Sequence, residues 1–189
     1  MILENLKNFE WLNEPENVIF ANKEMKIVPK SQTDFWQSKH HNFYKDNGHL
    51  FFLRTTDDFS MTVHWKAEDM SSFSQCGLMV RLDDKNWFKS SVMCQNADSP
   101  ELGSCVTLHA HSDWAGVMLS DMPQEMWYKI VRKKNDFMAY YSLDGKKYFR
   151  LRQFYMDTTG VELKVGAYVC SPQDKVFEAV LEEIEIDIC

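Results

Sequence analysis

Apolar and polar residues alternate along several short stretches of the chain, and this period of two predicts β-strands. Residues 59–65 and 106–111 alternate cleanly, and residues 77–82 do so in part. Two further strands are predicted at 163–169 and 176–188. No long stretch keeps a 3.6-residue period with caps at both ends, so we expect no substantial helix.

Polar residues between the apolar segments predict hairpins. Residues 83–86 and 133–136 each predict a four-residue loop, and Asp144-Gly145 favours the positive φ angles of a type I′ turn. Many short strands with turn signals, without a linker or an internal repeat, predict one all-β domain over residues 1–189 that is a sandwich or a barrel. The 14% of aromatic residues suits pleated, half-buried surfaces and favours the same class.

The predicted loop at 83–86 also sets a register. Leu82 then pairs with Trp87, and Arg81 with Phe88, so that Arg81 and Lys89 point to opposite faces. Lys89 shares its face with Trp87, which makes it the better ligand candidate. Arg81 is left with two readings: it pairs with a buried carboxylate, or it belongs to the same face after all.

Charge and cysteine content limit the partners. The net charge of −7 opposes binding to phosphate backbones, so we expect no nucleic-acid partner. No apolar run reaches the length of a membrane span, and residues 1–7 hold no signal-peptide segment, so we expect no membrane partner and a cytoplasmic location. Five widely spaced cysteines fit reduced thiols rather than disulfides or a zinc site. No phosphate-binding loop, nucleophile elbow or zinc-protease motif occurs, so we expect no cofactor.

A series of short sequence motifs resembles those of a known family. In order they are Phe9-Glu10-Trp11-Leu12-Asn13-Glu14-Pro15, Thr33-Asp34-Phe35-Trp36, Asp46-Asn47-Gly48-His49, Gln75-Cys76-Gly77-Leu78-Met79-Val80-Arg81, Asn86-Trp87-Phe88-Lys89, Ser112-Asp113-Trp114, Trp127-Tyr128-Lys129-Ile130-Val131-Arg132, Tyr141-Ser142-Leu143-Asp144-Gly145, Val165-Gly166 and Cys170-Ser171-Pro172. Together they resemble the largely uncharacterised family that includes the regulation-of-enolase protein, within the concanavalin A-like lectin/glucanase superfamily.

The resemblance implies a two-sheet antiparallel jelly-roll sandwich, concanavalin A-like, with a concave face that could hold a glycan. It implies no established activity. Relatives commonly carry Trp-x-Lys-x-Gly-x-Glu, whereas this chain has Ser91 in place of the Gly and Met93 in place of the Glu. Any chemistry that depends on that Glu is therefore in doubt here.

Aromatic and polar residues near predicted loops are the candidate ligand-binding set. Exposed indoles stack on the apolar faces of sugars, although tryptophan in a sandwich is more often core. His109 and His111 would share one strand face with Asp113 nearby, which suits a transition metal, a glycan subsite or a plain polar face. We predict no metal and no catalytic residue. The predicted ligand-binding residues are Trp36, Trp87, Lys89, His109, His111, Asp113 and Trp114.

Three functions remain open from the sequence. The first is a non-catalytic domain that binds a carbohydrate or a similar small ligand. The second is a glycoside hydrolase, but the superfamily's Glu-x-Asp-x-x-Glu pattern is missing, and the acidic alternation at 182–187 suits a solvated strand face better. The third is a cytosolic protein–protein or regulatory module, which an unusually large exposed apolar patch would favour.

Overall fold

The computed structural model describes residues 6–38, 43–70, 72–95 and 99–189, and these form two large antiparallel sheets. Sheet A contains, in spatial order, β1 (Glu10–Leu12), β6 (His49–Thr55), β15 (Leu163–Cys170), β8 (Gln75–Arg81), β9 (Trp87–Cys94), β10 (Pro100–Leu108) and β11 (His111–Met118). Sheet B contains β14 (Phe149–Tyr155), β13 (Asp136–Ser142), β12 (Glu125–Lys133), β7 (Phe59–Glu68), β16 (Glu178–Ile188), β3 (Glu24–Val28) and β2 (Asn17–Ala21). A separate hairpin pairs β4 (Phe35–Ser38) with β5 (Phe43–Asp46), and a short 3-10 helix covers Leu6–Asn8.

The main core lies between the two sheets and follows the alternation of the sequence. On β7, Phe59, Met61, Val63 and Trp65 are fully or almost fully buried against sheet A, while the residues between them point away from the core. The Trp65 indole N–H donates to the Gly77 carbonyl across the core at 2.9 Å. This architecture confirms the predicted antiparallel two-sheet sandwich.

A second apolar layer covers the face of sheet A that points away from sheet B. Strands β8 and β9 are buried along their whole length because both of their faces are covered. The hairpin β4–β5 lies over this face, and Phe35 packs edge-on against Trp87 and Tyr168 with ring centroids 6.4 Å away in each case. Sheet A is therefore a middle layer, with the hairpin as a small third layer.

Several predicted turns and one predicted strand differ from the structure. The predicted loop at 133–136 is a two-residue turn at Lys134-Asn135, because Lys133 pairs with Asp136. The loop after β8 spans residues 82–86, so Arg81 pairs with Trp87 and the predicted register is wrong by one residue. The predicted strand 106–111 instead contains a two-residue turn at His109-Ala110, where both φ angles are positive. Asp144-Gly145 lies inside a longer loop between β13 and β14 rather than in a two-residue type I′ turn. Its neighbours close that loop because Asp144 accepts the backbone N–H groups of Lys146 and Lys147.

Candidate functional site

A pocket of about 790 Å³ opens between the hairpin β4–β5 and the outer face of sheet A. This volume falls within the usual range for small-molecule sites. Its described lining consists of Gln32, Asp34, Trp36, Ser38, Phe43, Lys45, Phe73, Gln75, Lys89, Met93, Gln95, Trp114, Pro172, Gln173 and Asp174.

Sheet register places the central pocket residues in one row. Lys89 on β9 pairs with Cys105 on β10, which in turn pairs with Trp114 on β11. Directly paired residues point to the same side of a sheet, so all three side chains face the pocket layer. The row runs from a cation at the centre of the sheet to an indole at its edge strand.

Lys89 is a buried cation at the base of the pocket. Its Nζ lies 3.1 Å from Asp34 Oδ1 and within 6 Å of the ring centroids of Trp87 and Tyr168. Burial lowers the pKa of Lys89, but the Asp34 carboxylate and the nearby Cys170 and Cys105 sulfur atoms together raise it above its ordinary value. Lys89 is therefore charged at neutral pH.

A polar network beside Lys89 fixes Gln75. The Tyr168 hydroxyl donates to Gln75 Oε1 at 3.1 Å, and Gln75 Nε2 donates to the Phe73 carbonyl at 3.0 Å. Burial raises the pKa of Tyr168 well above its ordinary value, so the phenol remains a hydrogen-bond donor. These contacts hold the Gln75 amide in one orientation at the pocket wall.

Trp114 is held against the sheet by its neighbours. A Cβ atom added at Gly103 would lie 2.3 Å from Trp114 Cζ2, so the indole rests where a larger residue would stand. The indole N–H donates to Glu101 Oε1 at 2.9 Å. Trp114 is therefore a positioned, partly exposed aromatic surface in the pocket.

The structure divides the seven predicted ligand-binding residues. Trp36, Lys89 and Trp114 line the pocket. Trp87 is 0% exposed beneath Lys89, so the prediction that it offers a stacking surface is wrong. Lys89 is almost as deeply buried, but it belongs to the pocket lining and Trp87 does not.

The predicted histidine face is also wrong. His109 lies in the turn and His111 begins β11, so the two residues do not share a strand face. Asp113 points away from the pocket layer, because it neighbours Trp114 on the same strand, and it pairs with Arg152 of sheet B at 3.1 Å. None of these three residues belongs to the described pocket lining.

Arg81 lies on the pocket face, with the same orientation as Lys89, and it also has a carboxylate partner. Its Nη1 and Nη2 donate to the two oxygens of Asp46 at 2.6 and 2.8 Å. Both readings left open by the sequence therefore hold. The pair fastens the end of β5 to sheet A.

Asp34, Gln75, Phe43 and Lys45 contribute to the pocket although no sequence pattern singled them out individually. Asp34 belongs to one of the motifs that carry the family resemblance, and this is the sequence signal that points to it. Asp34 and Asp174 are the carboxylates of the described lining. Asp34 binds Lys89, and Asp174 accepts the Gln32 amide at 2.8 Å.

A second polar cluster lies on the outer face of sheet B. The His64 ring stacks on Trp127 with centroids 3.7 Å apart, and its two nitrogens each lie 3.1 Å from a carboxylate oxygen, of Glu125 and of Glu182. Lys66 Nζ lies 2.5 Å from Glu182. Burial lowers the pKa of His64 although both carboxylates oppose this shift. The cluster is a donor set of metal-binding type whose carboxylates are already paired.

No helix within the described ranges combines the length and apolar character needed to cross a membrane. The first five residues, which bear on the localisation prediction, lie outside the described residues.

Comparisons with known proteins give a family without an assigned activity. The family model described as "Protein of unknown function (DUF1349)" matches residues 11–189. The chain is 27% identical over 163 residues to "Regulation of enolase protein 1" of Saccharomyces cerevisiae, covering 86% of this chain and 81% of that protein.

Solved structures show the same fold in different settings. A functionally unknown protein from Saccharomyces cerevisiae superimposes with a TM-score of 0.89 at 24% identity, over 97% of this chain and 98% of that one. A GH43 protein from Bacillus licheniformis superimposes with a TM-score of 0.74 at 12% identity. That match covers 96% of this chain but 37% of the GH43 chain, so the fold recurs as one part of a larger protein.

Proposed function

We propose that this chain, which belongs to the DUF1349 family, binds a carbohydrate or a similar small ligand without transforming it. The description of that family assigns no activity, so the support for the proposal comes from the pocket of this chain. The observation that supports this is the pocket of about 790 Å³, where Trp36 and Trp114 accompany the polar groups of Lys89, Asp34 and Gln75. Indoles stack on the apolar faces of sugars, while fixed polar groups bond their hydroxyls.

The arrangement of carboxylates favours binding over hydrolysis. A glycosidase needs two carboxyl groups that face the scissile bond, one as acid and the other as base or nucleophile. In the described lining, Asp34 is held by Lys89 and Asp174 by Gln32. Met93, at the position of the Glu in the motif Trp-x-Lys-x-Gly-x-Glu that the family resemblance implies, lines the pocket with an apolar side chain.

A protein partner is the second candidate, and a specific observation favours it. The edge strand β2 exposes Ile19 and Phe20 by 61% and 58% of their surfaces. Exposed apolar side chains on an open sheet edge are a common basis of strand-to-strand association. We also infer a cytoplasmic location, which the five unpaired cysteines support.

A glycan-array screen of the purified protein tests the proposal, followed by titration of each hit with intrinsic tryptophan fluorescence. Truncating an aromatic anchor commonly costs about 2 kcal/mol of binding, so we expect Trp114→Ala to weaken a hit roughly thirtyfold without unfolding the domain. Tyr155→Ala removes an aromatic residue of 59% exposure outside the described lining and serves as the control.

Saturable binding that Trp114→Ala weakens and Tyr155→Ala preserves would support the proposal. No binding across a broad panel would refute the carbohydrate reading and favour the protein partner. Unfolding of Trp114→Ala would instead show that the indole belongs to the core. The fluorescence titration of the unaltered protein would then decide whether it binds the sugar.

A further inference from the structure

The ion pair at the base of the pocket has hydrogen-bonding capacity that the described residues leave unused. The Lys89 ammonium has three N–H donors, and one of them is used by a described residue, Asp34 Oδ1 at 3.1 Å. The same Oδ1 accepts the Phe35 backbone N–H at 2.7 Å. Asp34 Oδ2 accepts from none of the residues in the described ranges. Lys89 is 1% exposed and its ammonium also faces the rings of Trp87 and Tyr168, but it belongs to the pocket lining, so a further oxygen partner can approach it only from the pocket.

Unsatisfied donors on a buried cation are costly, and a ligand oxygen placed there relieves that cost. The two neighbouring groups need opposite partners: the Lys89 ammonium needs a hydrogen-bond acceptor, and the Asp34 carboxylate needs a hydrogen-bond donor. A hydroxyl group both donates and accepts, so two neighbouring hydroxyls satisfy the pair together: one donates to Asp34 Oδ2 while the other accepts from Lys89 Nζ. We propose that Asp34 and Lys89 recognise two adjacent hydroxyl groups of a neutral sugar, an inference that rests on the proposed carbohydrate-binding function.

An anionic ligand fits this site less well. A carboxylate or a phosphate could accept from Lys89, but it would bring a negative charge against Asp34, which already neutralises that ammonium. Lys45 at the pocket wall is the other lining cation, and it donates to the Gln32 carbonyl at 3.4 Å. Asp174 in the same lining balances its charge. The described lining therefore carries two cations and two carboxylates and has no net attraction for anions.

The distance from the ion pair to the aromatic surface suits a sugar. Lys89 and Trp114 lie two strand intervals apart in one row of sheet A. Two intervals correspond to about 10 Å between backbones. The Trp114 indole leans into this space over Gly103. One sugar ring can therefore contact the indole with its apolar face while two hydroxyls reach Asp34 and Lys89.

The experiment compares neutral sugars with their uronic acids on the intact protein. Each neutral hit is titrated by calorimetry alongside the uronate with the same ring configuration and alongside its monodeoxy methyl glycosides. We expect the uronate to bind at least tenfold more weakly. The affinity should fall when either of two adjacent hydroxyl groups is removed, and it should be nearly unchanged when any other hydroxyl group is removed.

Asp34→Asn tests the same contact from the protein side, since it keeps the shape and removes the charge. We expect Asp34→Asn to lower the affinity for the neutral sugar at least tenfold. We also expect it to reduce the ratio of the affinity for the neutral sugar to the affinity for the uronate. Asp187→Asn, an exposed carboxylate of sheet B, serves as the charge-matched control and should change neither value. If Asp34→Asn fails to fold, the deoxy-sugar series on the unaltered protein decides whether the pocket recognises two adjacent hydroxyl groups.

The outcomes separate this inference from the function on which it rests. Equal or tighter binding of uronates, or deoxy sugars that bind uniformly, would overturn the hydroxyl recognition by Asp34 and Lys89 but leave carbohydrate binding intact. The absence of any carbohydrate hit would overturn both.

Discussion

The ion pair between Arg81 and Asp46 joins the hairpin β4–β5 to sheet A, and we expect its removal to destabilise the protein and open the pocket. Two hydrogen bonds of 2.6 and 2.8 Å connect the groups. The Arg81 side chain is 6% exposed and that of Asp46 is 18% exposed. Asp46→Asn would therefore leave a buried guanidinium without its counter-charge.

The expected size of the effect follows from this burial. Removing one partner of a buried pair costs about 3–5 kcal/mol, because the other charge stays in the protein without compensation. Since Asp46 retains some contact with water, we expect the lower end, about 3 kcal/mol, from Asp46→Asn. For a protein of this size that lowers Tm by roughly 6–12 °C. The double variant Arg81→Met/Asp46→Leu removes both charges and should recover most of the loss.

The chain provides a matched control in Arg54 and Glu10. They also form two hydrogen bonds, from Arg54 Nε and Nη2 at 3.0 and 3.3 Å, but their side chains are 40% and 54% exposed. Solvent screens such a pair, so Glu10→Gln should be indistinguishable from the unaltered protein. Urea unfolding and thermal melts measure all of the variants. A loss for Asp46→Asn as small as that for Glu10→Gln, or a double variant that is less stable than the single one, would refute the reasoning.

Three further predictions concern other parts of the molecule. His49 Nε2 accepts the Lys30 backbone N–H at 3.0 Å, while Nδ1 donates to the Asn13 carbonyl, and burial lowers the His49 pKa. The unfolded chain then binds more protons below pH ~6.5, so the free energy of unfolding should fall between about pH 7 and 5. Urea titrations and a ring titration by NMR test this, and a ring that titrates normally would contradict it. Cys189 is exposed and the other four cysteines are buried, with burial raising the pKa of Cys76 to about 12. One thiol should therefore react rapidly with a disulfide reagent in the native protein and all five only after unfolding, whereas several fast thiols would contradict the buried assignment. Gly103→Ala should displace the Trp114 indole and shift its fluorescence emission, and an unchanged spectrum would show that the indole does not rest on Gly103.

The sequence predicts the sandwich well because the core imposes a clear period. On β7 and β12 one face is buried and the other is not, so alternation reveals both the strands and their inward residues. Strands β8 and β9 are buried on both faces, and there alternation no longer separates the core side from the pocket side. The residues of the pocket floor lie on these two strands.

The register error came from the chemistry of one loop. Leu82 continues the apolar pattern of β8, yet the backbone N–H groups of Leu82 and Asp83 both donate to the Asn86 carbonyl, which closes the loop one residue earlier. Because side chains alternate with period two, this single step moves Arg81 to the same face as Lys89.

The missed turn depended on a neighbouring loop. His109-Ala110 contains no glycine or asparagine, and the alternation continues through it. Its geometry is held from outside, since the His109 N–H donates to Asn86 Oδ1 at 3.1 Å and the Ala110 N–H donates to the Lys85 carbonyl at 3.0 Å. The alternation of apolar and polar residues within one segment carries no information about contacts between two loops. This is why the sequence wrongly predicted that His109 and His111 share a strand face.

The departures from the family motif gain meaning from the structure. Trp87, Lys89, Ser91 and Met93 are alternate residues of β9, so all four point to the pocket layer, and Met93 lies in the pocket lining. In a relative that carries Trp-x-Lys-x-Gly-x-Glu, the Glu would add a carboxylate at this wall, beside the pair of Asp34 and Lys89. In this chain Met93 stands at that position, and Lys89 is paired with Asp34. Met93 thus puts an apolar side chain where the motif would put a carboxylate, while the ion pair of Lys89 and Asp34 remains, and this agrees with the proposal that the pocket binds a ligand.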